Sequence, residues 1–190
     1  FLSVLFPASA LHILAYNRVI SDTGGLDGAA ILERLRAVGE VVPTTNPVPE
    51  QPGCFCFYVD GTWHRVTIDP ATVDRSDPVA ALDVSLLHDR IVAPIFGIED
   101  VRTDPRIDFV GGIRGTDELE QRVRSGAAAV AISLYPTSIG ELMDVADAGR
   151  VMPPKSTWFE PKLRSGLFVH LIDEDAVPDV AIEDVAAAST

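Results

Sequence analysis

The chain has 190 residues, 47% of them hydrophobic, and a formal net charge of -13 at pH 7. This length can bury the core of one domain, and no apolar run approaches the roughly 20 residues that a membrane helix needs. The acidic balance argues against nucleic acid as a partner, because neutralising phosphates requires a basic face. We therefore expect a cytoplasmic protein that contacts neither nucleic acid nor membrane.

The two ends of the chain are distinctive. The sequence begins at Phe1, inside an apolar run without an initiator methionine, which predicts a fragment whose N-terminal partner half is missing. Residues 173–190 hold six of the 28 acidic residues and no base, so residues 1–172 keep 22 acids against 15 bases. We predict one compact domain over 1–172 and an acidic tail over 173–190.

The first third of the chain alternates between strand and helix patterns. Residues 1–6 and 11–16 are apolar runs that predict the two strands of an antiparallel hairpin. Apolar residues at helical spacing then predict an amphipathic helix over 26–38, which Gly39 ends. Four prolines within residues 43–53 predict an exposed loop.

The middle third contains the clearest hairpin. Residues 54–59 and 63–68 are β-rich runs joined through an Asp60-Gly61 turn, a pair that favours tight hairpin turns. A helix is then predicted from about 77 to 92, because an aspartate followed by a proline is typical of a helix start. Pro94 is expected to help stop this helix.

The last third repeats the alternation. The sequence predicts a strand over 107–110, a helix over 116–124, a buried strand over 127–134, a helix opened by the capping box Ser138 to Glu141, and a final strand over 167–172. Strands that alternate with helices and hairpins predict an α+β fold, with a mixed, mostly antiparallel sheet and three to four packed helices.

One loop, residues 152–166, concentrates cations, hydroxyls and prolines in an otherwise acidic chain. Ammonium groups and hydroxyls together offer charge and hydrogen-bond donors to an oxyanion. We therefore predict phosphate or anion binding by Lys155, Ser156, Thr157 and Lys162. The alternative is a structural brace in which Glu160 pairs with one of the lysines.

Two residues near the start of the chain extend this predicted site. Asn17 and Arg18 lie at the end of a predicted strand, and arginine suits two-pronged contact with phosphate or carboxylate. The alternative for Arg18 is a surface ion pair with Asp22. The glycine cluster over 111–115 is interpreted either as an anion-binding turn or as a simple tight turn.

Catalytic residues remain unassigned from sequence. His88 is interpreted as a partly buried helix histidine, with acid–base chemistry as the alternative. No metal site is predicted, since the four histidines are scattered without ligand spacing.

A family resemblance rests on three stretches. Residues 152–163, Met-Pro-Pro-Lys-Ser-Thr-Trp-Phe-Glu-Pro-Lys-Leu, resemble the hallmark of the bacterial and archaeal family called domain of unknown function 1015. Residues 87–98 together with 107–112 agree with it, as does Tyr16-Asn17-Arg18-Val19-Ile20. Full-length members are similar to the ParB and sulfiredoxin-like group, which includes a free serine kinase.

The resemblance implies a C-terminal portion of a small-molecule phosphate- or nucleotide-handling enzyme. By this resemblance, the whole protein would phosphorylate free serine with ATP or ADP and Mg, and the missing N-terminal half would hold the nucleotide and the catalytic groups. The fragment alone is then expected to be inactive. The alternative is a noncatalytic module that senses an anion or docks a partner.

Overall fold

The computed structural model describes residues 10–162 together with Leu5, Pro7, Gly166 and Val169. It divides the chain into two compact units, one of residues 12–160 and one formed by residues 1–11 and 161–190. In the latter unit, the amide of Ala10 donates to the carbonyl oxygen of Pro7 at 2.9 Å. The predicted strand over 167–172 and the predicted boundary at 172 lie outside the described residues and stay predictions.

Eight strands are present among the described residues. They are β1 (His12–Leu14), β2 (Tyr16–Ile20), β3 (Glu40–Thr44), β4 (Cys54–Val59), β5 (Thr62–Thr67), β6 (Ile107–Gly111), β7 (Val130–Leu134) and β8 (Trp158–Glu160). Six of them form one sheet in the order β3-β5-β4-β7-β2-β6, while β1 and β8 form a separate pair. Every one of these pairings is antiparallel, which confirms the predicted sheet.

The helices of the described part of the chain are α1 (Gly28–Arg36), α2 (Asp83–Leu87), α3 (Ala93–Phe96), α4 (Asp117–Arg124) and α5 (Ile139–Asp147). A π-helical turn, His88–Val92, joins α2 to α3, so residues 83–96 form one continuous helical segment. Counted in this way, four helical segments pack with the sheet, and the α+β prediction is confirmed.

The sheet separates two apolar clusters because alternate side chains of a strand point to opposite faces. On β4, Phe55 and Phe57 lie in the larger cluster with residues of α1, α5 and the 83–96 segment. Cys56 and Tyr58 lie in the smaller cluster, which includes Leu119 of α4. All six residues of β4 are buried, and both faces of this central strand are therefore covered.

Several predicted elements are confirmed with small shifts in their ends. Asp60 and Gly61 join β4 to β5, both at positive φ, 48° and 78°. Asp27 caps α1 by accepting from the amide of Ala30 at 2.8 Å. The capping box at the start of α5 is complete. These elements follow from short-range turn and cap chemistry, which sequence displays directly.

The predicted helix over 77–92 is displaced along the chain. Asp77 does accept from the amides of Val79 and Ala80, but the helix begins only at Asp83. It also continues past Pro94 to Phe96, where Gly97 ends it at φ 65°. The wider π-helical turn precedes this proline, and the amide of Ala93 donates to the carbonyl of His88.

The predicted hairpin between residues 1–6 and 11–16 involves a first run that, apart from Leu5, lies outside the described residues, so it stays a prediction. β1 pairs with β8, with Ile13 opposite Phe159, and β2 pairs with β6 and β7. This partner lies about 145 positions away in sequence, so local hairpin patterns could not reveal it.

Candidate anion-binding cavity

A cavity of about 280 Å³ opens beside β2 and the helical segment of residues 83–96. We call it the arginine cavity. Its lining comprises Arg18, Val84, Ser85, Leu87, His88, Asp89, Val92, Glu99, Asp100, Val101, Arg102, Ile107, Pro153 and Pro154. The cavity thus joins Arg18 to the first part of the proline-rich loop, two features that the sequence linked.

Arg18 is 5% exposed and is the buried cation of the cavity. Its Nη2 donates to the carbonyl oxygen of Lys155 at 3.0 Å, and its Nη1 donates to the carbonyl oxygen of Tyr16. Its guanidinium carbon lies 4.4 Å from the centre of the Phe109 ring. Two carbonyls and an aromatic face therefore fix the plane of the guanidinium.

No carboxylate of the described residues lies within ion-pair distance of Arg18. The predicted alternative, a surface pair with Asp22, is therefore not present among them. A guanidinium has five N–H donors, and the two carbonyls do not use them all. Burial lowers the pKa of Arg18 to about 9, while the nearby Tyr16 acts in the opposite direction. An anion entering the cavity would offset this loss of solvation.

The π-helical turn places His88, Asp89 and Val92 on the cavity wall. The Nδ1 atom of His88 is buried and has no hydrogen-bond partner among the residues the structure describes. The Arg90 guanidinium instead donates to the hydroxyl and to the carbonyl oxygen of Thr72, each at 2.7 Å. The His-Asp-Arg run is therefore split, since only its first two members line the cavity.

The remaining charged lining residues are mostly acidic. Arg102 binds Asp100 with two contacts of 2.9 Å, and this hydrogen bonding lowers the pKa of Asp100 to about 2. With Arg18, Asp89 and Glu99 added, the lining carries two positive and three negative charges. One anionic group suits Arg18, whereas a polyphosphate would need a counterion.

The loop residues of the predicted site are placed differently from one another. Lys155 is exposed, adopts φ 55°, and its Nζ lies 5.5 Å from the centre of the Tyr16 ring. Ser156 is 4% exposed, and its hydroxyl donates to the carbonyl oxygen of Pro153. Its own carbonyl accepts from the Thr137 hydroxyl at 3.2 Å. The backbone carbonyls of residues 153, 155 and 156 therefore anchor this loop.

The other predicted residues have separate positions. Thr157 is half-buried beside the loop anchors. Asn17 is 4% exposed, and its Oδ1 accepts from the amide of Leu134 at 3.1 Å, which places it on the opposite face of β2 from Arg18. Lys162 is exposed and belongs to the other compact unit. The structure thus brings Arg18 together with residues 153–155.

Close contacts with Trp158 and with the backbone of Ala15 leave no room for a Cβ atom at Gly111 and Gly112. The Trp158 indole packs edge-on against Tyr16, with 5.2 Å between ring centres, and its Nε1 donates to Glu160 at 3.0 Å. A Cβ on Gly111 would lie 2.4 Å from carbon atoms of this indole, and one on Gly112 would lie 2.8 Å from the Ala15 carbonyl oxygen. These two glycines therefore allow close packing of β2, β6 and the loop.

The sequence does not predict the acidic residues of the cavity, and it favours a structural role for His88, which lies on the cavity wall. The missed lining residues, Glu99, Asp100 and Arg102, lie in an irregular stretch without periodicity. His88 has a weak signal, because it falls in one of the three stretches that carry the family resemblance. Only the π-helical turn shows that it faces the same space as Arg18.

The fold and cavity define an α+β protein with a buried arginine at a cavity wall, and this arginine has no carboxylate partner in the part of the chain that the structure describes. A family model described as Protein of unknown function (DUF1015) matches residues 1–85, which include Arg18 and Asn17 but not the loop of residues 152–166. A search of curated proteins finds no match.

Solved structures give similarities at low identity. A free serine kinase in complex with AMP has a TM-score of 0.46 and 13% identity, covering 80% of this chain and 55% of that chain. A mutant free serine kinase in complex with ADP has a TM-score of 0.44 and 14% identity, with the same coverage. A conserved hypothetical protein from Pyrococcus furiosus has a TM-score of 0.48 and 13% identity, covering 79% and 56%. This chain spans little more than half the length of these structures.

Within the described residues, no helix has the length and apolar character needed to cross a membrane.

Proposed function

We propose that the arginine cavity binds the anionic group of a small phosphorylated molecule, as part of a phosphate- or nucleotide-handling enzyme. The observation that carries the proposal is Arg18: a guanidinium 5% exposed, fixed by two carbonyls, and without a carboxylate partner among the described residues. Buried charges are normally paired, so a bound anion is the missing partner that this arrangement favours.

The charge of the cavity limits which anion fits. A monoanion or a single phosphoryl group can reach Arg18, but a nucleotide polyphosphate also meets the carboxylates of Asp89 and Glu99. Carboxylate oxygens are suited to Mg²⁺, but no three metal-binding side chains come together among the described residues, so most ligands of such an ion would come from the phosphate and from water. The residues present therefore fit a phosphate with Mg²⁺ better than a bare polyphosphate.

For the whole protein we propose phosphorylation of free serine with ATP or ADP and Mg, the reaction that the loop resemblance implies. In this proposal, Arg18 and Lys155 would stabilise charge on the transferred phosphoryl group. His88 is the candidate acid or base, since its buried Nδ1 is unpartnered among the described residues of the cavity wall. Catalytic groups supplied by a further N-terminal half complete the proposal.

A specific observation favours a noncatalytic alternative. The Ser156 hydroxyl donates to the carbonyl oxygen of Pro153. Thr137 donates to the carbonyl oxygen of Ser156, and Arg18 donates to that of Lys155. These loop groups therefore already have hydrogen-bond partners within the protein. A loop held in this way suits a module that senses an anion or docks a partner without transferring a group.

Anion binding is tested by titration calorimetry of the chain with inorganic phosphate and with AMP, each with and without Mg²⁺. Arg18→Met keeps the length of the side chain but removes its charge. We expect it to weaken phosphate binding by about 10- to 100-fold, the effect of a lost charge-assisted hydrogen bond. Arg36→Gln removes the same charge from an exposed position of α1 and should leave the affinity unchanged.

Lys155→Gly separates the role of the ammonium from that of the loop. Glycine accepts φ 55° without strain, so the backbone should keep its course. Weaker phosphate binding by this variant would assign Lys155 to the site. Anion binding is refuted if folded wild type binds neither probe, or if Arg18→Met binds phosphate as tightly as wild type.

The reaction is tested separately on the full-length protein. We expect serine-dependent consumption of ATP or ADP, and its loss in Arg18→Met. If the full-length protein binds phosphate but turns over no nucleotide with serine, the kinase proposal is rejected in favour of the noncatalytic anion-sensing module.

A further inference from the structure

We propose that a second pocket, lined by Asp83 and Leu86 of α2, binds a small primary ammonium ion. We call it the acidic pocket. Its volume is about 350 Å³, and its lining comprises Pro52, Gly53, Ile68, Pro70, Val73, Arg75, Ala81, Asp83, Leu86, Tyr135, Ser138 and Glu141. No lining residue is shared with the arginine cavity.

The central observation is the carboxylate of Asp83, a residue only 8% exposed. Its Oδ1 accepts from the amide of Gly53 at 2.8 Å. Its Oδ2 is buried and lacks any hydrogen-bond partner within the described part of the chain. A buried carboxylate oxygen without a donor is costly, and a ligand N–H⁺ group entering the pocket would satisfy it.

The charges around Asp83 favour a cation of single charge. The acidic pocket contains the carboxylates of Asp83 and Glu141 and the guanidinium of Arg75, which leaves one net negative charge. Glu141 is held by the capping box, through hydrogen bonds of 2.8 Å from the Ser138 amide and hydroxyl. One ammonium ion neutralises the pocket, whereas a diamine would leave it positive.

The lining residues also suit an ammonium ion better than a metal ion. No three of histidine, cysteine, aspartate and glutamate come together as a metal-binding group among the described residues, so a divalent cation would find at most two carboxylate ligands in this pocket. Ile68, Val73, Ala81 and Leu86 provide apolar surface beside the carboxylates. That combination suits an ammonium carrying a short alkyl chain.

The raised pKa of Asp83 also supports binding of an ammonium ion in this pocket. Burial raises it to about 7, with Glu141 adding to the rise, while the Gly53 amide and Arg75 oppose it. Charge repulsion between the two carboxylates and the lack of solvation both disfavour the ionised acid. A bound ammonium would restore ionisation, so its affinity should increase with pH.

The test follows the amide resonance of Gly53 in ¹H–¹⁵N spectra, because this amide contacts Asp83 directly. The probe is n-propylammonium chloride, with 1-propanol as its neutral isostere and potassium chloride as a simple cation. We expect a saturable shift with n-propylammonium only. Asp83→Asn keeps an acceptor for Gly53 but offers an N–H₂ group to the pocket, and should weaken probe binding by at least about 10-fold. Asp147→Asn, at an exposed position of the same helix as Glu141, is the matched control.

Wild type alone provides a second readout, which does not depend on the folding of a variant. Probe affinity should be about 30-fold higher at pH 8.5 than at pH 5.5, as expected for a carboxylate that ionises near pH 7. The proposal is overturned if the Gly53 shift is absent, if potassium or 1-propanol produces it equally well, or if affinity is the same at both pH values. Phosphate binding to Arg18 is measured independently, so a negative result at one site would not refute the proposal for the other.

Discussion

Arg18 and Lys155 lie 137 positions apart in sequence, yet the guanidinium of the former donates to the carbonyl oxygen of the latter at 3.0 Å. This hydrogen bond ties the sheet to the proline-rich loop and fixes the cation at the wall of the arginine cavity. Its donor is charged and its acceptor is a backbone oxygen, so the charge of Arg18 remains available to an anion.

Replacing Gly111 by alanine should destabilise the protein by about 2 kcal/mol, because the new methyl group overlaps the Trp158 indole at 2.4 Å. Urea unfolding monitored by tryptophan fluorescence measures the change. Gly140→Ala is the control: its Cβ would find only the Ser138 hydroxyl at 3.8 Å, and alanine is favoured within a helix. The second variant should be neutral or slightly stabilised.

Asp83→Asn should stabilise the protein, and more so at high pH. Because the folded-state pKa of Asp83 is raised to about 7, ionising this carboxylate costs folding free energy, which appears as pH rises from about 4 to 7. The amide cannot ionise and avoids that cost. The gain in free energy of unfolding at pH 8 should exceed the gain at pH 5 by about 3 kcal/mol. Denaturation curves at the two pH values provide the check, and a gain independent of pH would refute the buried-acid interpretation.

Ser156→Ala should lower the free energy of unfolding by about 1 kcal/mol, since the Pro153 carbonyl loses its donor in a buried setting. Thr157→Val is the control, because the Thr157 hydroxyl makes no hydrogen bond among the described residues, and it should have a smaller effect. Phosphate titration of both variants then separates structural support from ligand contact. A stable Ser156→Ala protein with weak phosphate binding would assign the hydroxyl to the ligand.

Much of the fold could be predicted because its signals are local. The Asp60-Gly61 turn and the Ser138 capping box each depend on residues within a few positions of one another. The start of the second helix was harder, since Asp77 caps a turn that the chain does not continue into a helix. The pairing of β1 with β8 was out of reach, because antiparallel partners carry no mark of each other in a single sequence.

The candidate site was predicted in part. Charge and hydroxyl content predict a site at Arg18 and the loop of residues 152–166, and the structure places Arg18 against Lys155 and beside Pro153 and Pro154. The sequence predicts Asn17 in the same site as Arg18, but neighbouring residues of a strand point to opposite faces, and Asn17 instead accepts from the amide of Leu134. For His88 the sequence favours a structural role over acid–base chemistry, because a helical pattern of ordinary pitch does not indicate the π-helical turn.

The sequence by itself determined the α+β class, the central hairpin and the identity of the cationic loop, because periodicity, turns and caps are properties of neighbouring residues. Only the tertiary structure decided that Arg18 is buried without a carboxylate partner among the described residues, and that one oxygen of Asp83 has no donor there. Burial and pairing depend on residues far apart in sequence. The charged groups most suited to binding are therefore recognised only after the chain has folded around them.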